Sequence, residues 1–161
     1  MWQFRYTERI YKNSRALFFL RAVDFLAVIY CAGALGCFLI SKVLLADYIG
    51  ALSLAVSLIV PFLILSLARR VINAKRPYEV YDFHVKIEGK SGLSFPSRHA
   101  FSAFAIAVAL MPEAAPLGIV AIIFGLALCA VRVLLGLHFV VDVAAGALVG
   151  VIGSLIGLWI F

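Results

Sequence analysis

Three short stretches of the chain carry side chains suited to handling phosphate. Arg69 with Arg76-Pro77 is the first, Pro96-Ser97-Arg98-His99 the second, and Arg132 with His138 and Asp142 the third. Each stands at the edge of a long apolar run, where an ionisable group is costly and needs a partner or a task. A phosphate ester held at the lipid–water boundary would supply that task. Its nonbridging oxygens need cations, its phosphorus needs a nucleophile in line with the leaving oxygen, and that oxygen needs an acid. Arginine suits the first role, being always charged and forked; Arg69, Arg76, Arg98 and Arg132 are the available set. Ser97 follows a proline and precedes an apolar stretch. It reads as the N-cap of a helix whose free N–H groups favour an anion.

His138 and Asp142 stand four apart, which on a helix places them on one face. The carboxylate can then accept from one ring nitrogen and leave the other as the free base. That is the orienter-plus-nucleophile arrangement of covalent catalysis. His99, on a different element, allows divided labour: His138 attacks phosphorus and His99 protonates the leaving group. Taken singly, an arginine at a membrane border is a lipid anchor and a histidine at a helix start is a cap. It is the combination that points to phosphate. His138, Asp142 and His99 could also hold a metal, but four nearby arginines would repel a divalent cation, so no metal and no cofactor is expected.

The elements that must position these residues are membrane spans. Of 161 residues, 65% are hydrophobic and 14% charged, far from the balance of a water-soluble domain; the mean hydropathy is +1.12. Apolar runs cover 16–40, 48–68, 97–111, 117–134 and 138–161. The expected fold is therefore all-α and integral to the membrane, a bundle of about five transmembrane helices forming one domain over 1–161. The run 97–111 is short and reads as an enclosed helix. Pro112 and Pro116 bracket the turn after it. Residues 1–15 mix aromatics with Arg5, Arg9, Lys12 and Arg15, the make-up of an interfacial helix or an anchored tail; no cleavable leader is expected. The polar stretch 69–98 is read as an interfacial cap between the second and third helices, with His84, Lys86 and Lys90 facing water or head groups and Tyr78, Tyr81 and Phe83 as anchors. Counting crossings brings all three motif stretches to one side of the membrane.

Smaller features fill in the bundle. Arg21 and Asp24, three apart, could pair on one helix face. Pro61 can kink the second span. Gly146/Gly150 and Gly153/Gly157 have the four-residue spacing that lets helices approach closely. Cys31, Cys37 and Cys129 read as small buried hydrophobes. The net charge of +6 fits anionic head groups or an anionic substrate, and nucleic acid is a poor partner for so apolar a chain.

The motifs resemble those of the type 2 phosphatidic acid phosphatase (PAP2) superfamily, the lipid phosphate phosphatases, which read K-x6-RP, PSGH and SR-x5-H-x3-D. This chain has R-x6-RP, PSRH and VR-x5-H-x3-D, in the same order, over residues 69–142. The resemblance implies that Arg69, Arg76, Ser97, Arg98 and Arg132 bind phosphate. It implies that His138 becomes a phosphohistidine, that Asp142 orients it, and that His99 acts as acid and then activates water. It implies no metal. The expected reaction is hydrolysis of a phosphomonoester or diphosphate on a membrane lipid of the phosphatidic acid, phosphatidylglycerol phosphate or isoprenyl diphosphate class. Arg69 for lysine, Arg98 for glycine and Val131 for serine are departures that delete no catalytic role. A lipid phosphotransferase using the same histidine, and a non-catalytic protein that only binds anionic lipid, are the alternatives. A vanadate-dependent haloperoxidase would not need the apolar spans. The chain is expected in the plasma (inner) membrane, multi-pass. The basic N-terminal residues favour a cytoplasmic site by the positive-inside rule, whereas the resemblance implies the outer face. The expectation is the outer face, with the N-terminal segment lying flat there.

Overall fold

A computed structural model describes residues 2–81, 83 and 91–160. Most of the cap that the sequence suggests, with Asp82, His84, Lys86, Glu88 and Lys90, lies outside the described residues. The described residues are mostly helical: α1 (Trp2–Lys12), α2 (Ser14–Leu44), α3 (Tyr48–Ile72), the single turn α4 (Pro77–Val80), α5 (Arg98–Leu134) and α6 (Val140–Ile160). Among the described residues four stretches are long and apolar enough to cross a membrane, and the chain is an integral multi-pass membrane protein. Phe18, Phe25, Ile49, Leu63 and Trp159 are among the large apolar side chains left on the outside, as a lipid solvent requires.

Local chemistry sets the helix ends. The Asn13 carboxamide accepts from the N–H groups of Arg15 and Ala16, both at 3.1 Å, and separates α1 from α2. Asp47 caps α3 by accepting from Gly50 N at 2.9 Å. α3 stops at Asn73 in the left-handed conformation. Ser97 caps α5.

The 37 residues of α5 do not form one rod. Ala114 has non-helical φ/ψ, between Pro112 and Pro116, and the chain doubles back there. A Cβ on Gly118 would lie 2.8 Å from Ala107 O, and one on Gly125 would lie 3.3 Å from Ala103 Cβ. In a straight helix the first pair would be about 16 Å apart. The first arm, 98–113, is the enclosed one: Ala100, Phe101, Ala103, Ala105, Ala107, Ala109 and Leu110 are all buried. α6 runs beside it at very short range. A Cβ on Gly146 would be 2.3 Å from Ser97 O, and one on Gly150 would be 2.5 Å from Phe101 O. These glycines bring the start of α6 onto the loop before α5.

Two expectations are corrected. Asp24 pairs not with Arg21 but with Arg132, because a half-buried arginine on the facing arm is a better partner than an exposed one on its own helix. Cys37 is exposed, not buried; Cys31 is buried and Cys129 half-buried.

Candidate active site

The ends of α3, α5 and α6 deliver the three motif stretches to one rim of the bundle. Arg69 lies in the last turn of α3, only 4% exposed. Its guanidinium donates to the carbonyls of Leu93, Ser94 and Pro96. It braces the loop before α5 from behind. Arg76 grips the same loop from the other side, Nε donating to Gly92 O at 3.0 Å, and reaches Leu137 O with Nη1 at 3.4 Å. Glu79 completes the frame by accepting from Arg76 N and Gly92 N, each at 2.8 Å.

The loop so held presents Ser97, Arg98 and His99. Ser97 is fully buried; its N–H donates to Asp142 O at 2.9 Å and its hydroxyl accepts from Ala100 N at 3.4 Å. Arg98 and His99 are exposed on the wall of a cavity of about 560 Å³, whose remaining lining is almost wholly apolar, with Cys31, Leu35, Phe62 and Ile106.

His138 and Asp142 are each 2% exposed, with Nδ1 and Oδ2 3.4 Å apart. The sequence places both on one helix face. The structure instead leaves His138 in the loop before α6, which begins at Val140. The pair still meets, because Asp142 reaches back as a cap and accepts from Phe139 N at 2.9 Å. Ser94 Oγ donates to the same Oδ2. Burial pushes the His138 imidazole below its usual range; Arg76 and Arg132 push the same way and Asp142 opposes them. The ring is therefore neutral near pH 7.

Arg132 is fixed by Asp24, Nε to Oδ1 at 2.7 Å and Nη2 to Oδ2 at 2.9 Å. Two of its five N–H donors are thereby used. Its backbone carbonyl accepts from Leu137 N and His138 N at 3.0 and 3.3 Å, tying it to the His138 loop. Electrostatic reach joins the whole set: His99 senses Arg132, His138, Arg98 and Arg69, and Arg69 senses Arg98, Arg76 and Asp142. All eight residues singled out in the sequence thus gather at one rim.

Three further residues enter that the motifs do not include. Ser94 sits two places before Pro96, inside the same polar stretch, yet nothing marks it as a partner of Asp142. Asp24 is conspicuous as a carboxylate within an apolar span, but its partner is 108 residues away. Gln3 carries no signal at all: its amide donates to Val133 O at 3.1 Å and to His138 O at 2.9 Å. Around α1, Phe4 stacks on Phe83 at 5.1 Å, and Tyr81 meets Phe139 edge-on at 6.1 Å. Of the aromatics expected as anchors, Tyr81 packs against the His138 loop through Phe139, and Phe83 packs on Phe4 and Tyr81.

The PAP2 superfamily model matches residues 50–161. No curated protein matches the chain. Among solved structures, Aquifex aeolicus LpxE is similar with a TM-score of 0.68 at 22% identity, over 89% of this chain and 94% of that one. A Bacillus subtilis transmembrane PAP2-type phosphatidylglycerolphosphate phosphatase is similar with a TM-score of 0.56 at 19% identity, over 98% of this chain and 91% of that one. At these identities the likeness speaks for the fold.

Proposed function

The chain belongs to the PAP2 superfamily, and on that premise we propose that it is a lipid phosphate phosphatase working through a phosphohistidine without a metal. The observation that carries the reading is the buried His138–Asp142 pair set among four arginines. Arg76, Arg98 and the free N–H groups of Arg132 would hold the phosphoryl oxygens. The N-terminus of α5 at Ser97 adds its dipole, and Arg69 adds charge from behind the loop.

In the first step the lone pair of the free His138 nitrogen forms a bond to phosphorus. The bond from phosphorus to the leaving oxygen breaks, and protonated His99 gives that oxygen its proton. A monoester releases a lipid alcohol; a diphosphate releases a lipid monophosphate. In the second step His99 takes a proton from water, the hydroxide attacks phosphorus, and the P–N bond breaks. Inorganic phosphate leaves and His138 is restored. Asp142 stabilises the charged imidazole that forms between the steps.

The apolar cavity beside Arg98 and His99 favours a lipid over a soluble ester. Phosphatidic acid, phosphatidylglycerol phosphate and isoprenyl diphosphates share that design, and the Bacillus neighbour acts on the second of these. The test is phosphate release from a panel of such lipids by the purified protein with chelator present. Release that requires an added divalent metal, or no release from any of them, overturns the reading. It also places the active rim at the outer face of the plasma membrane. Lys12, exposed on α1 at this rim, should then react with a membrane-impermeant amine reagent on intact cells. Protection of Lys12 there would move the site to the cytoplasm.

A further inference from the structure

α1 lies outside the region that the family model matches, yet it touches the residue proposed as nucleophile. Its face made by Gln3, Thr7 and Tyr11 has helical spacing. Gln3 donates to Val133 O and His138 O, Thr7 to Leu134 O at 2.9 Å, and Tyr11 to Leu135 O at 3.4 Å. The last carbonyls of a helix lack intrahelical partners, and α1 supplies donors to three successive carbonyls at the end of α5, of which Val133 O also accepts from Gly136 N at 3.0 Å. Gln3 is 7% exposed and Thr7 is fully buried. Both acceptors of Gln3 are carbonyls, so its amide orientation is dictated by the bonds themselves.

The bond to His138 O has a consequence for catalysis. That carbonyl and the Phe139 N–H belong to one peptide unit, which is planar and stiff. The C=O end is held by Gln3 at 2.9 Å and the N–H end by Asp142 Oδ2 at 2.9 Å. The same Oδ2 faces His138 Nδ1. We propose that Gln3 is a positioning residue for His138: it clamps one end of the 138–139 peptide plane and so fixes the carboxylate and ring at the other. Without it the plane is free to tip, and tipping moves Asp142 relative to the imidazole. The inference rests on the reading of His138 as nucleophile. Small misplacements of a reacting group cost rate steeply, about a hundredfold for 1 Å.

The test uses Gln3→Leu and Gln3→Glu in the full chain. Gln3→Leu should lower kcat by about ten- to a hundredfold and leave KM within about twofold, since the arginines are untouched. Gln3→Glu puts an acceptor against two carbonyls when ionised and regains one donor when protonated. Its activity relative to the unmodified protein should therefore rise as pH falls from 8 to 5. Wild-type kcat in Gln3→Leu overturns the clamp, as does a Gln3→Glu ratio that stays flat with pH. Should Gln3→Leu not fold, the Gln3→Glu ratio still decides. A readout independent of turnover separates this from the reading it rests on. With only three histidines in the chain, the His138 ring is resolvable by nitrogen NMR. Gln3→Leu should turn a single tautomer into a mixture. A ring signal that responds in a protein with no phosphatase activity sinks the function and keeps the clamp. Normal phosphate release with an unchanged ring signal does the reverse.

Discussion

The two rims of the bundle treat buried charge in opposite ways. At the far rim Lys42, at the end of α2, meets Asp47 at 2.7 Å and Glu113 at 2.6 Å. Asp47 also caps α3, and Glu113 sits at the α5 reversal, so one ammonium staples three elements. The cluster is complete in itself: every cation has its carboxylate. At the active rim four arginines gather with Asp24, Asp142 and Glu79, and Asp142 is committed to His138. Much of the arginine donor capacity is spent on backbone carbonyls, which bring no charge. The far rim is neutral or slightly acidic, while the near rim is short of an anion. Charged side chains therefore serve stability at one end and, in the proposed reading, substrate capture at the other, and the difference lies in whether the charge count closes.

The largest effect tests the near rim directly. His138→Ala should lower phosphate release at least about a thousandfold while the protein still inserts and folds in detergent. Unchanged turnover would remove the proposed chemistry. Next comes the carboxylate that aims an arginine. Asp24→Asn keeps the shape but loses the charge-assisted fork. It should reduce kcat/KM by about ten- to a hundredfold, mainly through KM, in assays on vesicles of fixed lipid phosphate content. A change confined to unfolding temperature would make Asp24 another staple and erase the contrast between rims.

The pH profile is a subtler probe. In the proposed chemistry His138 attacks only when neutral, and burial holds its pKa below the usual value. Because the first step also needs His99 in its acid form, kcat/KM should not fall as pH drops through about 6.5, and should decline only at lower pH, where His138 itself takes up a proton. The stability linked to this histidine follows the same sign. It is fully present above the unfolded-state value and is lost as pH falls through the folded one. A fall in kcat/KM beginning above pH 7 would contradict the neutral buried ring. The smallest effect belongs to the far rim. Lys42→Met should cost about 1 kcal/mol of stability, because its partners are half in solvent, and leave kcat/KM within about twofold.

Most of the bundle was legible in the sequence, because hydrophobic runs of membrane length have few alternative readings. The reversal near Pro112 and Pro116 and the close glycine contacts follow from residue type alone. His99, His138, Asp142 and the four arginines were legible because their types and spacings are costly unless used. What stayed hidden depends on long-range partners. Asp24 has Arg21 three residues away, and nothing in the sequence points instead to Arg132, 108 residues on. Ser94 and Gln3 are ordinary polar residues until a carboxylate or a peptide plane arrives beside them. Four-residue spacing cannot tell an in-helix pair from a side chain capping its own helix start, so it does not reveal that His138 precedes α6.

The hairpin at Ala114 ties the site to bilayer thickness. Both ends of α5 carry site residues, Arg98 at one and Arg132 at the other, so the two arms act as matched legs standing on a common floor. Three or four residues added to one leg alone would lift its foot by about 5 Å and draw the two arginines out of level. A homologue suited to a thicker membrane must lengthen both legs together, and α6 with them, so insertions in such proteins should come as paired gains on either side of the bend.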